Sequence, residues 1–355
     1  MQKHTLNKVK LILINTAVLV ILLLICLIVL FFYSKSQINS FFEIEDEVHQ
    51  MHIQKDSLAM FTHVPNIKIY ENWGTEQQKL TNKTRTNNLG FREDHDIIDK
   101  KNNEFRILIT GDSHTDGSVK NNEDTFINVL EQQLNTKQKN TYFNCINGGT
   151  AYYTFRNYYG FIQKYLCLKP DVFIINVFTG NDFRESILFE DNRTSIESVY
   201  KYTYNKTIRK FFSKKKKENL HNQGVEQTLY YDYFNKDIET SLSLSKFYLK
   251  KIKTLCKNNN IKLVVTLLPS KLETDKTYKN EIKSLFKLSE KAINTNFKLT
   301  NNLEVWLVKN KIKTYNLTNL LKQAKQSVFW DHDFHINNNA HKLIGNYLNE
   351  QLELN

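Results

Sequence analysis

Two polar segments that lie far apart in this 355-residue chain contain the side chains needed for nucleophilic catalysis. Ser113 follows a glycine and an aspartate, and a serine becomes a useful nucleophile once a base takes its proton. His335 is the candidate base, and Asp333, two residues before it, could hold the imidazole in the required tautomer. The sequence therefore predicts a triad of Ser113, His335 and Asp333, with Asp331 left open as a second candidate for the acid.

Two further segments supply hydrogen-bond donors for the oxyanion that develops in acyl transfer. One contains a pair of glycines, of which we expect Gly149 to offer its backbone N–H, with Gly148 as the alternative. The other contains Asn181, whose side-chain amide is a second donor, and the N–H of Ser113 is a third. The neighbouring residues that we expect to shape these turns are Gly111, Asp112, Gly180 and Asp182.

These segments lie where the loops at one edge of a parallel sheet would be. Apolar runs predict strands at residues 105–110, 141–146, 171–178, 261–268 and 313–317. Helical patterns are predicted at residues 124–134, 153–168, 242–258, 278–293 and 338–352. Strands that alternate with helices pair in parallel through right-handed crossovers, so we expect a three-layer α/β/α sandwich of flavodoxin-like type with a mostly parallel sheet. Such sheets hold their sites at the carboxyl ends of the strands.

The four segments resemble the sequence blocks of the SGNH, or GDSL-like, serine esterases and lipases. The matching stretches read FRILITGDSHTDG, FNCINGGTAYYT, TGND and DFHINNNAH, and a lead-in, NNLGFR, precedes them as in membrane-anchored members. The resemblance covers residues 87–352. It implies an SGNH-hydrolase fold that needs no cofactor and no metal, with the nucleophile, base, acid and oxyanion donors at the residues already named.

Three features depart from the family pattern. His114 stands where the first block has leucine, and Ala340 replaces a glycine of the last block. The last block also has one residue rather than two between its acid and its histidine. That spacing is the reason why Asp331 remains a competitor of Asp333 for the role of the acid.

An uncharged apolar stretch, residues 11–33, predicts a membrane-spanning helix. A helix of 23 residues is about 34 Å long, enough to cross a hydrocarbon core of about 30 Å. Lysines precede the stretch and acidic residues dominate after it, so the positive-inside rule predicts an uncleaved single-pass signal anchor with a cytoplasmic N-terminus. We therefore expect the catalytic domain to be extracytoplasmic, in the periplasm or at the cell surface. The expected parts are a cytoplasmic tail (1–10), the anchor (11–33), a linker (34–86) and an SGNH-hydrolase-like domain (87–355) with a Lys-rich insertion at about 184–240.

The distribution of charge limits the possible binding partners, and the cysteine content limits the possible disulfides. The net charge is +12, but eight basic residues are concentrated in residues 201–217. We expect a solvated loop there, able to meet anionic lipid or an acidic glycan, and no nucleic-acid partner, because no nucleic-acid-binding motif lies nearby. Cys145, Cys167 and Cys256 allow at most one disulfide and are otherwise buried free thiols.

Together these features predict a serine hydrolase that removes a small acyl group, such as acetyl, from an extracytoplasmic glycan or lipid. An O-acyltransferase that passes the acyl group to a sugar hydroxyl would use the same triad, so the sequence leaves that alternative open. A metal-dependent phosphoesterase would instead use the carboxylates and histidines of these segments as ligands. An inactive glycan-binding protein is the last alternative, and the complete set of four segments argues against it.

Overall fold

The computed structural model describes residues 2–42, 52–73, 80–118, 120–138, 140–188, 190, 223–331 and 335–354. The chain divides into two units, one of residues 1–44 with 188–216 and one of residues 45–187 with 217–355. The Lys-rich stretch 201–217 lies outside the described residues, and a solvated loop there therefore stays a prediction.

In the first unit, residues 2–42 form one long helix, α1 (Gln2–Phe42), which contains the predicted span. Its stretch Lys8–Tyr33 has a mean hydropathy of 3.2, and none of it is buried. A helix of this length and composition can cross a membrane, although a signal sequence would have the same properties. The orientation of the chain across a membrane stays a prediction.

The second unit begins with two β-hairpins. In the first, β1 (Ile53–Asp56) pairs with β2 (Met60–His63), and in the second, β3 (Lys68–Trp73) pairs with β4 (Leu80–Arg85). Both pairs are antiparallel. From the sequence we expect only a linker in this region, because these short, polar strands lack the apolar runs that mark the strands of the main sheet.

The five predicted strands form one parallel sheet, in the order β6-β5-β7-β8-β9. Their bounds are β5 (Glu104–Gly111), β6 (Tyr142–Asn147), β7 (Val172–Phe178), β8 (Lys262–Leu268) and β9 (Lys313–Asn316). Each strand agrees with its prediction to within one residue at either end. The central strand β7 is buried along its whole length, as expected for a parallel strand that is covered on both faces.

Helices cover both faces of this sheet. They are α2 (Ser113–Asp116), α3 (Phe126–Lys137), α4 (Phe155–Tyr165), α5 (Asp182–Leu188), α6 (Gln223–Tyr233), α7 (Asp237–Asn258), α8 (Lys271–Thr274), α9 (Lys276–Phe286), α10 (Glu290–Ile293), α11 (Thr295–Lys309), α12 (Thr318–Lys322) and α13 (Asn338–Gln351). Helices α3 and α13 pack together over one face, in a core that includes Ile107 and Phe143. Helix α4 packs on α7 over the other face, where Phe161 stacks on Phe173 of β7. The three-layer α/β/α sandwich is therefore confirmed.

The helix predicted at residues 278–293 is interrupted in the structure. Helix α9 ends at Phe286, and the next residue, Lys287, adopts a left-handed backbone with a φ of +52°. Ser289 then caps α10 by accepting the N–H of Ala292, so the chain restarts a helix after three residues instead of continuing one. The cysteines of this unit are free thiols: Cys145 and Cys256 are buried, and Cys167 is exposed.

The first hairpin packs directly on α4. The side-chain amide of Asn157 donates to the carbonyl of Ala59 at 2.9 Å. At Gly160, one turn further along the helix, a Cβ would lie only 1.9 Å from the carbonyl oxygen of Leu58. A side chain at this position therefore has no space unless the hairpin moves away from α4.

We expect Gly160→Ala to lower the free energy of unfolding by about 1–3 kcal/mol, because the added methyl overpacks the contact. The direction of this change in the free energy of unfolding is informative, because alanine in an unobstructed helix is more favourable than glycine by about 1 kcal/mol. Denaturant unfolding of the full chain in detergent measures the difference. Gln132→Ala, at an exposed position of α3, is the control, and a Gly160→Ala variant as stable as the wild type would contradict the close contact.

Candidate active site

Ser113 lies at the carboxyl end of β5, where the chain turns into α2. Asp112 caps this short helix, because its Oδ1 accepts the backbone N–H of His114 at 3.0 Å. Ser113 Oγ lies 2.8 Å from Nε2 of His335, a hydrogen-bond distance, although the two residues are 222 positions apart. A ring nitrogen at this distance can accept the hydroxyl proton, so the structure brings the predicted nucleophile and base together.

The loop that carries His335 is held by backbone hydrogen bonds on both sides of the histidine. The N–H of Trp330 donates to the carbonyl of His335 at 2.8 Å, and the N–H of Asn337 donates to the carbonyl of Val328 at 3.0 Å. The Asn337 side chain also caps α13 by accepting two of its N–H groups. Ala340 is fully buried in this helix, so the departure from glycine is accommodated by packing.

The acid of the predicted triad lies in a segment, residues 332–334, outside the described residues. Asp333 therefore stays a prediction, and its competitor Asp331 is an exposed turn residue. A metal-dependent phosphoesterase, the alternative left open above, would take some of its ligands from the same segment. Among the residues that the structure describes, no group of three or more His, Cys, Asp or Glu side chains could hold a metal ion.

Both candidate oxyanion glycines use their N–H groups within the protein. The N–H of Gly149 donates to the side-chain oxygen of Asn147 at 3.0 Å, and the N–H of Gly148 donates to the carbonyl of Ile109 at 2.8 Å. Gly149 also has a packing role, since a Cβ there would lie 2.2 Å from the backbone nitrogen of Asp116 on α2. We expected an N–H at this loop that is available to a ligand, and the structure differs from that expectation. A glycine is required at position 149 because the backbone of α2 lies too close for a side chain.

The other two candidate oxyanion donors, the N–H of Ser113 and the side-chain amide of Asn181, keep hydrogens that a ligand could accept. In the described part of the chain, the N–H of Ser113 has no hydrogen-bond acceptor. Asn181, which follows β7, is 3% exposed, and its side chain lies near enough to Glu185 to lower the pKa of that carboxyl against the effect of burial. An amide group carries two N–H hydrogens, so the contact with Glu185 leaves at least one for a ligand.

Three buried carboxyl groups surround this edge of the sheet. Burial raises the pKa of Asp112 to about 7, against the opposing charge of His335. Burial, and then the charge of Asp112, raises the pKa of Asp182 well above its usual range, and Tyr158 donates its hydroxyl to that carboxyl at 2.7 Å. Burial also raises the pKa of Glu185. Asp112 therefore changes its charge near neutral pH, within the electric field of the candidate base.

A charged cluster that the sequence did not reveal holds α2 from its other side. Asp116 Oδ1 lies 2.9 Å from Nε2 of His63 on β2, and Arg92 donates to the Asp116 carbonyl at 2.6 Å. Burial alone would raise the pKa of Asp116, but the charges of His63 and Arg92 lower it. Arg92 belongs to the NNLGFR lead-in, which is the signal that could have marked this cluster, whereas no motif marks His63. These contacts fix the turn that presents Ser113.

No protein-family profile and no curated protein matches this chain. Among solved structures, the chain is similar to an acetyl xylan esterase, with 12% identity, 69% of this chain and 98% of that chain covered, and a TM-score of 0.41. It is also similar to a GDSL-like lipase from Bacteroides thetaiotaomicron VPI-5482 (14% identity, 72% and 90% covered, TM-score 0.39). A member of the lipolytic protein G-D-S-L family from Veillonella parvula DSM 2008 is similar at 12% identity (71% and 100% covered, TM-score 0.38). At these identities and scores the likeness assigns no activity to this chain.

The raised pKa of Asp112 predicts how stability depends on pH. A carboxyl whose pKa is raised on folding stabilises the fold when protonated, and this contribution is lost as the pH rises through about 7. We therefore expect the wild type to lose more of its free energy of unfolding between about pH 5 and about pH 9 than Asp112→Asn, whose amide oxygen can still cap α2.

Thermal unfolding followed across this pH range measures the difference. Asp232→Asn, at an exposed position of α6, is the matched control and should follow the wild type. Parallel curves for the wild type and Asp112→Asn would show that Asp112 does not titrate in this range.

Proposed function

We propose that this protein cleaves acyl esters, with Ser113 as the nucleophile and His335 as the general base. The observation that carries the proposal is the 2.8 Å contact between Ser113 Oγ and His335 Nε2 at the carboxyl edge of a parallel sheet. The two groups lie on different loops, and a hydroxyl paired with an imidazole nitrogen in this geometry is what nucleophilic catalysis requires. The resemblance of the four sequence segments to SGNH hydrolases supports the same reaction.

In the proposed reaction, Ser113 Oγ attacks the carbonyl carbon of the ester while His335 Nε2 accepts the hydroxyl proton. The resulting oxyanion accepts hydrogen bonds from the N–H of Ser113 and from the side-chain amide of Asn181. His335 then returns the proton to the leaving alcohol, and water releases the acyl group from the serine by the same steps. Asp333 is proposed to hold the protonated imidazole in place.

The proposed substrate is an acylated glycan or lipid outside the cytoplasm, and a small acyl group such as acetyl is the simplest one. The apolar helix Lys8–Tyr33, which is long enough to cross a membrane, supports a single-pass protein whose catalytic unit acts at a membrane surface. The same acyl-enzyme could pass its acyl group to a sugar hydroxyl instead of water. Which acceptor reacts depends on how well the site excludes water.

Ser113→Ala should abolish covalent labelling by a fluorophosphonate and lower kcat for 4-nitrophenyl acetate by at least about 10⁴-fold, because the variant lacks the hydroxyl that is proposed to carry the acyl intermediate. Ser118→Ala, a serine five positions further along the chain, is the matched control and should keep both properties. If the Ser113→Ala variant is still labelled, Ser113 is not the nucleophile.

The identity of the acid can be decided by two asparagine variants. Asp333→Asn should lower kcat by about 10³–10⁴-fold with little change in KM, because the imidazole loses the partner that fixes its tautomer. Asp331→Asn should leave kcat within about twofold of the wild type, since an exposed turn residue has no such role. The opposite pattern would assign the acid to Asp331.

A further inference from the structure

His114 occupies the position at which the first sequence block departs from leucine. It is only 1% exposed, although it follows directly on Ser113. Its ring packs on Phe178 of β7, with the ring centroids 4.0 Å apart and the planes inclined by 31°. On another side, its ring centroid lies 4.7 Å from that of His335. The histidine is therefore in contact with both the sheet and the candidate base.

The His114 ring also accepts a backbone hydrogen bond. The N–H of Ile336, the residue after the base, donates to His114 Nδ1 at 3.3 Å. A ring nitrogen that accepts a hydrogen bond carries no proton, so this contact requires His114 Nδ1 to be unprotonated. This bond joins the nucleophile turn to the loop of the base.

We propose that His114 is a positioning residue that fixes the loop of the base against the nucleophile turn, so that His335 Nε2 stays within reach of Ser113 Oγ. This proposal rests on the proposed function for its effect on catalysis. A leucine could fill the same volume but could not accept the N–H of Ile336. Without an acceptor this buried N–H would be left unpaired, which is unfavourable, and the loop would move to find another partner.

The proposal also requires His114 to remain uncharged during the reaction. Protonation of Nδ1 would place a hydrogen opposite the N–H of Ile336 and break the bond. It would also put a positive charge beside His335, which must itself become positive in the transition state. In the described residues, two titratable groups lie beside His114. They are His335, whose ring contacts the His114 ring, and Asp112, which accepts the backbone N–H of His114. Activity therefore requires both neighbouring imidazoles to be uncharged when the reaction begins.

Two variants separate the roles of the ring and of the acceptor. His114→Phe keeps an aromatic ring against Phe178 but has no acceptor, whereas His114→Asn keeps an acceptor oxygen near the position of Nδ1. We expect His114→Phe to lower kcat about tenfold with KM unchanged, and His114→Asn to recover most of this loss.

Hydrogen exchange gives a readout that does not depend on activity. The amide of Ile336 should exchange faster in His114→Phe than in the wild type or in His114→Asn, as measured by mass spectrometry of fragments that contain residue 336. His341→Phe is the matched control, because His341 is also a buried ring that accepts a backbone N–H, from Phe126 at 3.0 Å. It should leave the exchange of the Ile336 amide unchanged.

Unchanged exchange of the Ile336 amide in His114→Phe overturns the proposal, as does a kcat for His114→Asn no higher than that for His114→Phe. Failure of the proposed function gives a different result. In that case the wild type neither hydrolyses 4-nitrophenyl acetate nor reacts with a fluorophosphonate, while the exchange experiment still decides whether His114 holds the loop.

Discussion

The hydrogen bond between Ser113 and His335 requires two distant loops to meet within 2.8 Å, and the sheet determines whether they do. Ser113 is placed by the end of β5, and His335 by the start of α13. Both elements belong to one apolar core, in which Ile107 of β5 and Ile344 of α13 are completely or almost completely buried. Because packed cores resist small displacements, this core sets the separation of nucleophile and base.

Buried charge at the same edge of the sheet imposes a second requirement. A buried ion that lacks a partner destabilises a fold by several kcal/mol. Asp116 is a buried carboxyl group, and it lies one helical turn from Ser113. His63 and Arg92 provide its partners. Since His63 comes from β2, the hairpin region contributes directly to the stability of the turn that presents Ser113. The segment that the sequence predicts as a linker thus contains a residue that supports this turn.

The sequence predicts the features that depend on local patterns and misses those that depend on contacts between distant segments. The strands of the main sheet were predictable because buried parallel strands are continuous apolar runs. Gly149 illustrates the opposite case, since its N–H is taken by the Asn147 side chain, and a glycine motif does not show which groups are already paired. The contact of His63 with Asp116 spans 53 positions and has no local signature. The pairing of Ser113 with His335 was predictable because loops at one edge of a parallel sheet bring distant segments together, and the family resemblance supported the same pair.

The buried carboxyl of Asp112 connects stability to the proposed chemistry. A protonated His335 would oppose the burial that raises the pKa of Asp112. This coupling is reciprocal, so a negative Asp112 equally favours the protonated form of His335. Above about pH 7 the charged Asp112 destabilises the fold, but in the proposed reaction it would stabilise the imidazolium that forms in the transition state. The neutral His114 that we propose on the adjacent side would add no opposing charge. A destabilising group would thus lie where its charge assists the proposed reaction, which is a common compromise between stability and activity.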